Sequence, residues 1–290
     1  MRGSFVTSHL PAGLPVLAVL LSAFAASAAP ARAANAPAFL SHRALYDLSL
    51  LKTRGSTSID NARGRIAYNF SGSQCEGYTS EFRQVSELDN GEGKVTLSDL
   101  RSTSWEAADG KTYRFKIDNR TNADKASSVD GIAERDGDHI TVKLRQPVAK
   151  TFKLDGNIVF PTEQVRRIIA AARAGKSLLE LSIYDGSDNG EKVYNTLSVI
   201  GKPIPGDKVT ASPDPSTRND TLKALTRWPV TVSYYDRDAR TNSGEQTPVY
   251  AMSFELYENG VSRKLVLDYN DFVITGALGK FEVKDTRPCK

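Results

Sequence analysis

Pairs of aspartate or asparagine followed by glycine recur along the chain, and they constrain its fold more than any other feature. Both members of such a pair readily adopt positive φ, which the tight turn of a two-residue β-hairpin requires. The pairs are Asn90-Gly91, Asp109-Gly110, Asp130-Gly131, Asp136-Gly137, Asp155-Gly156, Asp185-Gly186, Asn189-Gly190 and Asn259-Gly260. Most lie between segments in which apolar and polar residues alternate. The chain therefore predicts a series of antiparallel hairpins.

The alternating segments predict roughly a dozen or more β-strands. Examples are residues 45–51, 78–88, 95–105, 112–117, 151–154, 178–184, 192–200, 228–235, 248–257, 261–269 and 272–283. A flat sheet of this size leaves exposed edges and tends to curl. The predicted fold is mainly β: a large antiparallel, curved, barrel-like sheet with one main α-helix packed against it.

The predicted helix lies within residues 155–197. Thr162 is a suitable N-cap after Pro161, and Glu163 places negative charge in the first turn. Gly175 is predicted to be the C′ residue, just beyond the helix end. An apolar stripe is formed by Val165, Ile168, Ile169 and Ala172, and the other side carries Arg166, Arg167 and Arg173. This stripe predicts a helix that plugs the curved sheet.

Residues 202–220 interrupt the strand pattern with four prolines. We interpret this segment as an exposed loop within one domain, because the strand pattern resumes after it.

The first 33 residues predict a cleaved secretory signal peptide. Arg2 precedes an apolar run, and small-residue cleavage sites follow at Ala28 and Ala33. The run is shorter than the ~20 residues of a membrane span and is punctuated by prolines, so a transmembrane anchor is disfavoured. Residues 34–290 are then predicted to form a single domain of an exported, soluble protein.

The charge balance argues against a nucleic-acid partner. Removal of Arg2 and Arg32 lowers the formal net charge from +4 to +2, and the charges are spread evenly.

Two cysteines, Cys75 and Cys289, remain in the exported chain. In an oxidising compartment an even pair most simply forms one disulfide. Two free thiols are the alternative, and a metal site needs more ligands than two sulfurs.

Catalytic and metal-binding patterns are weak. His42 and His139 carry no neighbouring ligands, and the chain has no nucleophile elbow, P-loop, dinucleotide fingerprint or Cys-x-x-Cys. Both histidines are predicted to lie at the surface or at strand ends. No catalytic residue, metal or cofactor is predicted.

Two groups of acidic residues are candidate sites. Asp185, Asp188, Asn189 and Glu191 resemble part of a calcium loop, but their spacing does not fit an EF-hand, and a tight hairpin turn explains them better. A glycosidase needs two carboxylates, which Asp268 and Asp271 could supply. Acidic residues are so common at strand ends that this pair by itself does not indicate a glycosidase.

Aromatic residues in predicted strands are the remaining candidates for a ligand site. The candidates for lining an apolar pocket are Trp105, Tyr113, Phe115 and Trp228, and ordinary core packing is the competing interpretation.

Several segments taken in order resemble a known family. They are His42-Arg43-Ala44-Leu45-Tyr46-Asp47-Leu48, Cys75-Glu76-Gly77-Tyr78, Phe160-Pro161-Thr162, Ala174-Gly175-Lys176-Ser177, Tyr184-Asp185-Gly186-Ser187-Asp188, Ser233-Tyr234-Tyr235 and Cys289. On these segments the chain resembles the EipB family of periplasmic cell-envelope integrity proteins, formerly a domain of unknown function. The resemblance implies a spiral, many-stranded antiparallel sheet, a disulfide between Cys75 and Cys289, and a location in a Gram-negative periplasm.

The resemblance also implies a non-enzymatic role in the envelope. The leading hypothesis is that the protein binds an apolar ligand, such as a lipid or a lipoprotein moiety, or an envelope protein partner. A scaffold without a ligand is the alternative, followed by a hydrolase that acts on envelope glycans or lipids.

Overall fold

The computed structural model describes residues 39–55, 59–122, 124, 126–206, 208, 214–239 and 246–285. The predicted signal peptide and Cys289 lie outside these residues. All described residues belong to one compact unit, Asn35–Lys290. The strands are β1 (His42–Thr53), β2 (Asn61–Ser73), β3 (Gly77–Asp89), β4 (Val95–Glu106), β5 (Thr112–Thr121), β6 (Ser127–Asp136), β7 (His139–Gln146), β8 (Lys150–Asp155), β9 (Ile158–Val159), β10 (Leu178–Ile183), β11 (Tyr194–Ile200), β12 (Arg227–Asp236), β13 (Tyr250–Tyr257), β14 (Ser262–Asp268) and β15 (Phe272–Val283).

These strands form one fifteen-stranded, nearly closed, barrel-like sheet. Its order is β8-β7-β6-β5-β4-β3-β2-β1-β15-β14-β13-β12-β11-β10-β9. Neighbours pair antiparallel except for β9 and β10, which run parallel. Strands that are consecutive in sequence pair with each other, except β8 and β9, which lie at opposite ends of this order. In addition, the first strand, β1, pairs with the last, β15. The predicted fold class is confirmed.

Alternation along each strand decides which side faces the core. In β1, Ala44, Tyr46 and Leu48 are buried, whereas Arg43 before them and Asp47 between them are exposed. In β7, Ile140, Val142 and Leu144 are buried in the same alternating way. Because side chains of a strand point to opposite faces in turn, the sheet has an apolar concave face and a polar outer face.

Most of the predicted glycine turns connect strands. Asn90-Gly91, Asp109-Gly110, Asp136-Gly137 and Asn259-Gly260 each join two antiparallel neighbours. The prediction for Asp130-Gly131 is wrong, because this pair lies inside β6 at a shift of register with β7. A Cβ atom on Gly131 would lie 2.7 Å from the Phe115 ring, so this glycine permits close packing rather than a turn.

The main helix is α1 (Pro161–Arg173). Its C-terminus ends as predicted: Gly175 has a φ of +70°, and the amides of Gly175 and Lys176 donate to the carbonyls of Ala172 and Ala171. This is a Schellman motif. Thr162 is not the N-cap. Phe160 occupies that position without a side-chain bond, because Pro161 is already helical.

Helix α1 lies against the concave face and contacts both walls of the sheet. Ile168 and Ile169 are buried with Phe70 on β2 and with Trp228 and Val230 on β12. Arg166, which was predicted on the side opposite the apolar stripe, is half-buried, and its guanidinium lies 5.7 Å from the Phe39 ring and 5.9 Å from the Tyr78 ring. The helix therefore fills the sheet at this end.

A second cluster brings the two ends of the sheet together. Tyr113 of β5 stacks on Phe160 at 5.1 Å between ring centroids. Phe115 meets Tyr184, which follows β10, edge to face at 5.7 Å. Arg135 of β6 donates to the carbonyl of Ile158 on β9 at 2.7 Å. Side-chain packing and this bond hold the two ends near each other.

The described part of residues 202–220 is less exposed than predicted. It contains a short helix, α2 (Pro215–Arg218), whose Ser216 is buried. The Asp214 carboxylate pairs with the fully buried Arg263 at 2.7 Å. The hydroxyl of Tyr257 and that of Ser216 are 3.1 Å apart. These contacts anchor the segment to β13 and β14.

Within the part of the chain that is described, no helix is both long and apolar enough to cross a membrane.

Candidate functional site

A concavity with an apolar floor lies on the outer face, across β15, β1, β2, β3 and β4. We call it the outer groove, and its volume is about 460 Å³. Its outward-facing lining consists of Arg43, Leu45, Ala67, Asn69, Glu81, Arg83, Arg101, Thr103, Lys280 and Glu282. This volume falls within the ~300–1,000 Å³ typical of ligand pockets.

A β-bulge and a small side chain shape the outer groove. The register of β1 with β15 shifts between Leu45 and Tyr46, which pair with Lys280 and Leu278, so that Gly279 is the extra residue. A Cβ atom there would lie 2.6 Å from an Asp47 carboxylate oxygen. A bulge bends its strand and increases the local twist. Beside the bend, Ala67 leaves a gap that a larger side chain would fill.

Two arginines face each other on one wall of the outer groove. Arg83 on β3 is the direct cross-strand partner of Arg101 on β4. Both bind Asp99: Arg83 Nε lies 2.9 Å from Oδ1 and Arg101 Nη2 lies 2.9 Å from Oδ2. Hydrogen bonds from Arg83 and then Arg101 hold the pKa of Asp99 well below its ordinary value. One carboxylate thus serves two guanidinium groups.

The opposite wall carries Arg43 and Lys280. Lys280 Nζ lies 2.8 Å from Glu282 Oε1, and both side chains are exposed. The Lys280 hydrogen bond lowers the pKa of Glu282, and Arg43 adds a smaller effect in the same direction. Charged groups therefore rim both sides of the apolar floor made by Leu45 and Ala67.

On the concave face, a buried carboxylate caps α1 from another element. Glu106, the last residue of β4, accepts the amides of Thr162 at 2.7 Å and Glu163 at 2.9 Å. Burial raises the pKa of Glu106 to about 7, although the two helix amides and Arg166 act in the opposite direction. The N-terminal cap that was predicted at Thr162 is therefore supplied by Glu106, 56 residues earlier in the chain.

A small cavity remains beside this cap. Its volume is about 120 Å³, and its lining includes Tyr68, Phe70, Ser80, Ser104 and Val165. It is well below the volume of a typical ligand pocket.

The two histidines occupy different settings. His42 opens β1 but is buried, and its Nδ1 lies 2.7 Å from the Leu40 carbonyl oxygen. Burial lowers the pKa of His42. His139 is exposed at the start of β7, and its Nδ1 lies 2.6 Å from Asp155 Oδ1. Among the described residues, neither histidine forms a hydrogen bond with a serine hydroxyl.

The acidic turn between β10 and β11 is held by its own contacts. Asp185 Oδ1 accepts the amide of Ser187 at 2.9 Å, and Asn189 Oδ1 accepts the amide of Glu191 at 3.0 Å. The hydroxyl of Tyr194 donates to Asp188 at 2.6 Å. These are the Asx turns expected of a hairpin connection. No group of metal-ligating side chains was found among the described residues.

The second acidic pair, Asp268 and Asp271, does not act as a unit. Asp268 forms a two-oxygen ion pair with Arg54, at 2.6 and 2.7 Å. The Asp271 carboxylate takes no part in this ion pair, although the Asp271 backbone carbonyl accepts a hydrogen bond from the Arg54 backbone amide.

The four aromatic candidates are not brought to one surface. Tyr113 and Phe115 stack on each other within the second cluster. Trp228 is buried against α1. Trp105 lies on the outer face, where its Nε1 donates to the Glu76 carbonyl and Arg114 lies over its ring.

Cys75 lies in the turn between β2 and β3. Its predicted partner, Cys289, lies outside the described residues, so this disulfide stays a prediction. The last residue of β15, Val283, pairs with His42, and His42 pairs with Phe70 near the same end of β2. The last described strand, β15, is thus separated by β1 alone from β2, the strand that leads to Cys75.

Sequence reasoning missed Glu106 and the pair Arg83–Arg101. Glu106 belongs to no motif, and its role depends on a helix that is distant in the chain. The arginines stand at alternate outward positions of two neighbouring strands, but their juxtaposition depends on the register of the hairpin.

A fifteen-stranded, barrel-like sheet with a helix on its concave face and a groove on its outer face defines the class of protein. A crystal structure from Brucella abortus, described as a β-barrel-like protein of domain of unknown function DUF1849, has a similar fold. It covers 86% of this chain and 100% of its own, with a TM-score of 0.77 and 33% sequence identity.

The sequence comparisons agree with this similarity. The family model described as EipB-like matches residues 33–285. The cell envelope integrity protein EipB of Brucella abortus (strain 2308) is 36% identical over 268 residues, which is 91% of each chain. The chain belongs to the EipB-like family.

Proposed function

We propose that this protein is exported to the periplasm and maintains the cell envelope by binding another envelope protein, without catalysis. The name of the Brucella abortus relative refers to cell-envelope integrity, and the predicted signal peptide supports export.

The space left on the concave face favours a protein partner over an apolar ligand. Helix α1 packs against both walls of the sheet, and the cavity left beside it measures about 120 Å³. A lipid chain needs a pocket several times larger. A second concavity, of about 420 Å³, is lined by Tyr234 and Tyr250 but also by the charged groups Asp185, Asp188 and Lys192, which do not suit a lipid chain. The outer groove, at about 460 Å³, is accessible from the surface.

The arrangement of ionisable groups supports a non-enzymatic role. His42 is buried against a backbone carbonyl, and Asp268 is held in an ion pair with Arg54. Catalytic carboxylates and histidines need access to a substrate. We assign no catalytic residue.

Genetic complementation tests the proposal. A strain that lacks the gene should become sensitive to detergent, and the wild-type gene should restore resistance. Ala67→Trp, which fills the outer groove, should fail to restore it. Ala277→Trp is the matched control, because Ala277 is exposed on β15 outside the groove lining.

Immunoblots of periplasmic fractions and melting curves should show that both variants are exported and folded. Full resistance with Ala67→Trp would refute a role for the outer groove. Native mass spectrometry of periplasmic protein addresses the competing apolar ligand, since a stoichiometric lipid would favour carriage instead.

A further inference from the structure

The like-charge pair in the outer groove is unusual for an antiparallel sheet. Like charges directly opposite each other on neighbouring strands are destabilising. Arg83 and Arg101 are such a pair. Because they share the single carboxylate of Asp99, one positive charge remains without a full counterion.

The rest of the lining does not cancel this excess. The groove residues include four cations, Arg43, Arg83, Arg101 and Lys280, and two carboxylates, Glu81 and Glu282. Even when Asp99 is added, the outer groove keeps a net positive charge. Arg101 and Lys280 are 58% and 65% exposed, so both can reach a bound anion.

The floor of the outer groove is apolar but short. It is formed by Leu45 and Ala67, and the aliphatic stems of the flanking arginines extend it. One apolar side chain fits over such a floor. A lipid tail needs a longer apolar surface, so the geometry favours a peptide over a lipid.

From these features we infer that the outer groove binds an acidic segment of a partner protein, with carboxylates against Arg101 and Lys280 and an apolar side chain over Ala67. This inference rests on the proposed function and specifies the chemistry of the partner. Opposite charges across such an interface set specificity and the rate of association.

Fluorescence anisotropy with a labelled peptide tests the inference. The probe is a short synthetic peptide in which glutamate and leucine alternate, and the matched probe replaces each glutamate by glutamine. The mature protein should bind the glutamate peptide, and added salt should weaken binding. The glutamine peptide should bind at least about tenfold more weakly.

Paired variants locate the site. Arg101→Ala with Lys280→Ala should weaken binding of the glutamate peptide by about tenfold. Arg63→Ala with Lys143→Ala is the control, because it also removes one arginine and one lysine from exposed ion pairs, but outside the groove. The control pair should bind like the wild type.

Equal losses in the two pairs would overturn the inference by showing a nonspecific charge effect. Absence of peptide binding would also overturn it, as would stronger binding of phosphatidylglycerol vesicles through the same two residues. If Ala67→Trp still fails in complementation while the peptide does not bind, the proposed function stands and only the partner chemistry is wrong.

Discussion

At the scale of single residues, Glu106 shows how an ionisable group couples two elements. Its carboxylate stands at the end of β4 and accepts the first free amides of α1. A negative charge at a helix N-terminus is stabilising, but burial of that charge is costly. The raised pKa of Glu106, about 7, shows that the burial cost dominates.

This balance predicts a pH dependence of stability. The pKa of Glu106 is higher in the folded than in the unfolded chain, whose ordinary value is 4.5. Its contribution to stability is therefore fully present below about pH 4.5 and is lost as the pH rises through about 7. The expected loss is on the order of 3 kcal/mol.

Glu106→Gln should remove most of this pH dependence. The measurement is the free energy of unfolding in denaturant at several pH values across the interval. Glu87→Gln is the control, because Glu87 is an exposed ion-pair partner of Arg63. An unchanged slope with Glu106→Gln would show that another group titrates.

At the scale of elements, α1 is stable because the sheet buries its apolar side. A helix of this length is marginal in isolation, and its N-cap residue offers no side-chain bond. The sheet supplies both the cap, through Glu106, and the packing surface, through β2, β12 and β13.

Truncation within this helix should be costly. Ile169 is fully buried in the cluster between the helix and the sheet, so Ile169→Ala should destabilise the protein by about 2–5 kcal/mol. Ala170→Gln is the control at the neighbouring exposed position and should change stability by less than about 0.5 kcal/mol. Chemical denaturation measures both. Similar values for the two variants would mean that the helix does not pack as described.

At the scale of the whole molecule, two contacts join parts of the chain that are far apart in sequence. The pairing of β1 with β15 brings the first and last strands together. The second cluster then holds β5 to β8 against β9 and the turn after β10. The barrel-like form depends both on this strand pairing and on this side-chain packing.

The predicted disulfide would reinforce the first of these connections. Cys75→Ser should lower the melting temperature, because a disulfide that closes so long a loop contributes up to about 5 kcal/mol. Ser73→Ala, at the end of β2 beside the same turn, is the control, although it removes the hydroxyl that accepts weak bonds from the amides of Cys75 and Glu76. Peptide mapping without reductant should recover Cys75 linked to Cys289. Two free thiols would contradict the pairing.

Much of the fold was predictable from the sequence, because its signals are local. The Asn259-Gly260 turn and the alternation in β1 depend on neighbouring residues only. The helix end at Gly175 likewise follows from local backbone preference. Such signals predicted the mainly β class and the single main helix.

The predictions were wrong or incomplete where distant residues decide the outcome. Asp130-Gly131 has the sequence of a turn, but the approach of Phe115 places it within a strand. Thr162 has the chemistry of an N-cap, but Pro161 and Glu106 leave it in the first turn. Arg166 packs on two aromatic rings that the helix periodicity does not reveal.

The sequence by itself determined most of the strands, most of the hairpin turns between them and the position of the helix, because hydrogen bonding, turn geometry and alternation act over a few residues. Only the tertiary structure decided that α1 fills the concave face and that Arg83 and Arg101 meet above Ala67 in an outer groove. Sheet curvature and strand register set those contacts, and both depend on packing between residues that are far apart in the chain.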